Sequence, residues 1–204
     1  MMITDMTRTS RIALSAAVLL AGGLAVSGCA DADDPSDGAT VAAGDTPGGA
    51  TTAPSAAARS NDALVDAAAT ARKAVGSGTV VSIEQERNGS AWEVLVVAED
   101  GTEREVHTDA AGTGAEGAPR TDGTDPDDVE ENQRIVDAAE LDVAEAADRL
   151  TGAVAGSVTE LGLDDHAGTV VWEGDVRDAS GTKHSIRIDA GSGDVVTNTV
   201  DTDD

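Results

Sequence analysis

The 204-residue chain has no phenylalanine and no tyrosine, and Trp92 and Trp172 are its only aromatic residues. Any core must therefore be built from Val, Leu, Ile and Ala. Each tryptophan reads as the central filler of a small core rather than as a platform for carbohydrate or peptide, because no neighbour can supply its buried area. A single cysteine, Cys29, rules out an internal disulfide. Basic residues are scarce: 13 Lys and Arg stand against 39 Asp and Glu, for a formal charge of -26. Such a surface repels nucleic acid and anionic headgroups, which removes nucleic acid from the partners to consider and leaves room for a basic or cationic one. The acidic excess also serves to keep an Ala-rich surface soluble. Long apolar runs are missing as well. The longest, residues 12–26, is too short to span a bilayer comfortably.

That run instead reads as part of an export signal over residues 1–28, with Arg8 and Arg11 ahead of it and small residues behind. The tetrapeptide Val26-Ser27-Gly28-Cys29 resembles the lipobox of bacterial lipoproteins. The resemblance implies that Cys29 is diacylated and becomes the mature amino terminus. The partner there is the membrane, and the place is the outward, extracytoplasmic side of a bacterial cell membrane. Two acyl chains anchor stably where one would not. Loss of 1–28 removes Asp5, Arg8 and Arg11, so the exported part is more acidic still. Residues 29–60, with Pro35, Pro47 and Pro54 and almost no large apolar side chain, cannot bury enough surface to order themselves. They read as a disordered tether, whose coil statistics give a reach of some 30 Å.

What remains is a duplication. Trp92-Glu93, Gly101-Thr102 and Asp109-Ala110 return as Trp172-Glu173, Gly181-Thr182 and Asp189-Ala190, each pair 80 positions apart. A first module is placed over 61–112, an acidic Gly/Pro linker over 113–128, and a second module over 129–200 with a lead-in helix at 129–139. In the first, Leu64, Ala68, Ala71 and Val75 form one helical stripe behind the cap candidates Ser60, Asn61 and Asp62, and Gly76 and Gly78 end it. A strand over 79–86 then turns Thr79, Val81, Ile83 and Gln85 inward. The pair Asn88-Gly89 makes a hairpin, Trp92, Val94 and Val96 face the core, Asp100-Gly101 turns again, and Val106 points in.

In the second module Asp142 and Glu145 predict a capping box. Val143, Ala147, Leu150 and Val154 repeat the stripe at an offset of 79, which one extra residue before Gly156-Ser157 would explain. Leu161 and Leu163 answer Val81 and Ile83, Trp172 and Val176 answer Trp92 and Val96, and Ile186 and Ile188 answer Val106 and Thr108. Residues 194–200 predict a terminal strand with no counterpart in the first copy, so a sheet edge there is left open or covered by its neighbour.

Chemistry is thin. No HExxH, Gly-x-Ser-x-Gly, phosphate loop or CxxC occurs. His107, His166 and His184 are not equivalent between the copies, the acids from Asp122 to Glu131 lack the ligand spacing of an EF-hand, and Ser157 and Thr159 are explained by a helix-to-strand turn. No catalytic residue, metal site or cofactor is expected.

A helix ending Ala74-Val75-Gly76, the strand Trp92-Glu93-Val94, the turn Asp100-Gly101-Thr102 and the run Val106-His107-Thr108-Asp109-Ala110 resemble a PepSY domain. The second copy is similar and more complete, through Trp172-Glu173, Ser180-Gly181-Thr182, Ile186-Arg187-Ile188-Asp189-Ala190 and Gly193-Asp194-Val195-Val196. The resemblance implies an α+β fold of two tandem modules, each one helix packed on a small antiparallel meander, with Trp92, Gly101, Asp109, Trp172, Gly181 and Asp189 as the repeated signature. It further implies a non-enzymatic protein that binds, and inhibits or regulates, an exported peptidase or another envelope protein, through a sheet edge or a cleft between modules. A divalent-cation sensor using the carboxylates is the alternative, and a structural spacer is the third reading.

Overall fold

A computed structural model describes residues 56–122 and 125–201. The elements run α1 (Ala56–Val75), β1 (Thr79–Glu86), β2 (Ala91–Val97), β3 (Glu103–Asp109), β4 (Arg120–Asp122), α2 (Pro126–Ala138), α3 (Val143–Ala153), β5 (Gly156–His166), β6 (Thr169–Asp178), β7 (Lys183–Asp189) and β8 (Val195–Val200). All eight strands form one antiparallel sheet in the order β4-β3-β2-β1-β5-β6-β7-β8. The two halves therefore meet strand to strand. β1 and β5 pair at Ser82–Gly162, Ile83–Leu161 and Glu84–Glu160, so the halves are joined by main-chain pairing within the sheet.

The helices lie on one face. Leu64, Ala67, Ala68 and Ala71 of α1 and Val143, Ala146, Ala147 and Leu150 of α3 are buried at an offset of 79, in a single apolar cluster with Trp92, Val94, Val96, Val106, Val158, Leu161, Trp172, Val176, Ile186 and Ile188. Ile135 and Ala139 pack against the same cluster from α2 and its end. The predicted capping box forms in full: Asp142 accepts from the Glu145 amide at 3.0 Å, and Glu145 accepts from the Asp142 amide at 3.1 Å. Replacing Asp142 with alanine is expected to cost about 1 kcal/mol, the ordinary value of a helix cap, read as a lowered midpoint in urea with an unchanged slope.

Several local expectations are corrected. α1 starts at Ala56, ahead of the predicted cap, because the alanines before Asn61 are strong helix formers. Asn61 is consequently inside the helix. Its side chain reaches the other half, donating to the Gly156 carbonyl at 3.1 Å and accepting from the Val158 amide at 2.9 Å. In β1 a bulge between Val80 and Ser82 shifts the alternation, so Val80 and Ile83 are buried rather than Val81 and Ile83. β5 carries the same bulge between Val158 and Glu160. Leu161 is therefore the counterpart of Ile83, and the strands correspond at an offset of 78.

The close approach of two glycines fixes this alignment. A Cβ on Gly78 would fall on the Val97 carbonyl oxygen, and one on Gly156 would fall on that of Arg177. The second copy thus has one residue fewer, not one more, between helix and strand. Its first hairpin is longer and turns at Ala167-Gly168, where the first copy uses the four residues 87–90. The segment expected as linker is partly ordered. β4 lies against β3 and fills the edge position that the first copy was expected to lack, and Asp125 caps α2 with Pro126 in its first turn.

Candidate functional site

Strand alternation sends one set of side chains to the core and the other to the opposite face of the sheet, which no described element covers. Four carboxylates line up there across four adjacent strands. Glu93 of β2 lies opposite Glu84 of β1, Glu84 opposite Glu160 of β5, and Glu160 opposite Asp175 of β6. Like charges placed directly opposite are destabilising. The carboxyls respond accordingly: burial, then Asp175 and Glu84, push Glu160 up to about 7. Burial, then Glu86 and Asp175, raises Glu84, and burial, then Glu105 and Glu86, raises Glu93.

The two ends of the row are finished differently. Beyond Asp175, Lys183 sits 2.9 Å from its carboxylate and 3.1 Å from Asp201, and the bond to Asp175 raises the lysine. In the same half, Arg187 lies opposite Glu173 and grips it in a fork, Nε to Oε2 at 2.9 Å and Nη2 to Oε1 at 2.8 Å. At the matching place in the first half, His107 lies opposite Glu93. Its Nε2 is 2.8 Å from Glu105 Oε1, a carboxylate also held by Arg120 at 3.0 Å. Its Nδ1 is 3.2 Å from Glu86 Oε2. That distance suits a hydrogen bond but the alignment does not, and Nδ1 is buried with no hydrogen-bond partner.

The repeated signature residues hold the fold. Trp92 and Trp172 are buried on the helix side, and their indole N–H groups donate to the Ala110 carbonyl at 3.3 Å and the Leu141 carbonyl at 3.0 Å. Gly101 and Gly181 occupy positive-φ turn positions at 79° and 88°. Asp109 accepts from the Thr113 amide at 3.0 Å, and Asp189 from those of Gly191 and Ser192 at 3.0 and 2.7 Å. Ser157 and Thr159 belong to β5 rather than to a turn before it. Val26, Ser27, Gly28 and Cys29 lie outside the described residues. The carboxylate row and the His107 nest are what the sequence reading missed. Alternation marks each acid as outward-facing, but only the strand register shows which acids stand side by side.

The remaining surface feature is the far edge. Among the described residues β8 pairs with β7 alone, and its Val195, Val196 and Val200 are 52, 45 and 52% exposed. Exposed valines on an edge strand contrast with the protective charges usual at such an edge.

Helices on one face of an antiparallel sheet define a fold of the α+β class. In the family comparison, residues 140–197 match the PepSY family model, described as "Peptidase propeptide and YPEB domain". The match runs from just before α3 into β8. No catalytic family is indicated. Among solved structures, a protein of Clostridium difficile 630 described as a putative lipoprotein is similar at 18% identity and a TM-score of 0.42, over 64% of this chain and 87% of that one. No curated protein matches the chain.

Proposed function

We propose that the chain is a non-catalytic protein of the bacterial envelope, anchored by lipid on Cys29, in which two tandem PepSY modules bind and restrain an exported peptidase. The modules are the halves led by α1 and α3, with the PepSY match falling on the second. One observation carries the docking mode: β8 is a six-residue open edge with three exposed valines. An extended segment of a partner can add to such an edge, taking main-chain hydrogen bonds for affinity and side-chain contacts for selectivity. Among the described residues no helix is long and apolar enough to cross a membrane, so attachment in this reading rests on the acyl chains.

A photo-crosslinking side chain placed at Val196 tests this, with the same probe at Leu95 on the open sheet face and a Cys29→Ala chain as unanchored control. A peptidase crosslinked from position 196 in anchored cells only is the expected result. Val196→Lys is then expected to weaken inhibition of that purified peptidase at least tenfold with no change in melting temperature. Crosslinks from position 95 alone would move docking to the open face, and the absence of any peptidase would end the proposal.

A further inference from the structure

We infer that Glu86, Glu93 and His107 form a binding site for a divalent ion of the Zn2+ class, with Glu105 orienting the imidazole. The ligand atoms of the first three residues lie within 4.8 Å of one another, a spread that a rotamer change in a glutamate side chain closes. They come from three adjacent strands, β1, β2 and β3, so the sheet register holds their backbones in place.

The protonation pattern gives the site its character. A carboxylate only accepts, so the 2.8 Å contact to Glu105 places a ring proton on Nε2, and Nδ1 is the nitrogen that can serve as the ligand. Nδ1 is buried, lacks a hydrogen-bond partner, and lies 3.2 Å from the Glu86 carboxylate oxygen. With an ion bound, Nδ1 and the Glu86 oxygen would both point at it from this separation. Ligands held about 2.0–2.1 Å from a tetrahedral or octahedral ion stand roughly 3.0–3.4 Å apart; Nδ1 and Glu86 already stand at 3.2 Å, and Glu93, now 3.9 Å from Nε2, has to swing toward Nδ1 to join them. A metal-binding histidine characteristically gives its other N–H to a carboxylate, which fixes the tautomer and raises ring basicity. Glu105 takes that place, and Arg120 at 3.0 Å holds Glu105 in turn.

The second half is an internal comparison. The counterpart of His107 is Arg187, that of Glu105 is Ser185, and the guanidinium itself neutralises Glu173 through two hydrogen bonds. A fixed organic cation occupies there the place that the first half leaves to three carboxylates and one imidazole. One nitrogen with oxygen ligands suits Zn2+, Co2+ or Mn2+, whereas Mg2+ and Ca2+ favour oxygen alone.

The test is a Co2+ titration of the full chain carrying Cys29→Ser in every arm, so that the lone thiol supplies no ligand. Saturable one-to-one visible bands, abolished by stoichiometric Zn2+ and unmoved by excess Mg2+ or Ca2+, are expected. His107→Arg, which copies the second half, is expected to lose the bands while melting like the parent, and Glu105→Gln to weaken binding about 10–100-fold. Bands that survive His107→Arg would overturn the site in favour of loose counterions along the carboxylate row. Displacement of Co2+ by Ca2+ or Mg2+ as readily as by Zn2+ would overturn it too, as would the absence of any bands.

Discussion

Trp172→Ala is expected to destabilise the protein by about 3–5 kcal/mol, the range for removing a large buried aromatic side chain. Trp172 is 1% exposed and gives its indole N–H to the Leu141 carbonyl at 3.0 Å, so truncation leaves both a cavity and an unpaired carbonyl. The sharper expectation is that both halves unfold together. α1 belongs to the first half, yet Asn61 is hydrogen-bonded to β5, and the buried residues of both halves form one cluster. In Trp172→Ala the only fluorophore left is Trp92, in the first half. Its emission and the far-ultraviolet circular dichroism should give the same lowered midpoint. If Trp92 kept the parent midpoint while half of the dichroism was lost early, the halves would be independent folding units and the expectation would fail.

The second large effect is electrostatic. The Glu160 carboxyl titrates at about 7 in the folded protein against 4.5 when free of its surroundings, because it is part-buried between Glu84 and Asp175. Between those values the folded chain holds a proton that the unfolded chain gives up. Stability therefore falls as pH rises from about 4.5 to about 7, and the loss is complete above that. Glu84 and Glu93 are shifted in the same direction, so the slope belongs to the row rather than to one residue. Glu160→Gln removes the central charge. The full shift would amount to roughly 3 kcal/mol, and solvent screening on this open face brings the expected gain to about 1 kcal/mol at pH 8, with none at pH 4.5. Melting curves at the two pH values check it. A variant no more stable than the parent at pH 8 would show that the row is already relaxed by solvent or counterions.

Much of the architecture was readable from residue order. The period of 80 between Trp92 and Trp172 placed β2 and β6 correctly, and Asp142 with Glu145 announced the start of α3. The misreadings share one physical origin, which is that spacing along a chain is blind to bulges. Val81 was assigned to the core by strict alternation, but the bulge in β1 moves Val80 inward instead; in β5 the bulge precedes Leu161 and Leu163, which both keep the core side, and only their matching to Val81 and Ile83 shifts. Asn61 carries every local mark of a helix cap, and only the packing of α1 over β5 makes it a bridge between halves. β4 was hidden because Arg120, Thr121 and Asp122 have no apolar pattern. They are held by pairing with Glu103, Arg104 and Glu105 and by the contact of Arg104 with Thr121. The histidine nest was invisible for a similar reason: His107 and Glu86 lie far apart in sequence and meet only through β2.

The seam between β1 and β5 has a consequence for symmetry. Ile83 pairs with Leu161, its own counterpart, and the flanking pairs Ser82–Gly162 and Glu84–Glu160 exchange places when the halves are swapped. A contact that maps onto itself in this way is isologous, the kind two identical subunits make about a dyad. The two halves thus meet along the sheet as the two protomers of a symmetric dimer would. A single half made alone would bare the strand that now lies at the dyad, and a second copy of itself would supply the matching edge.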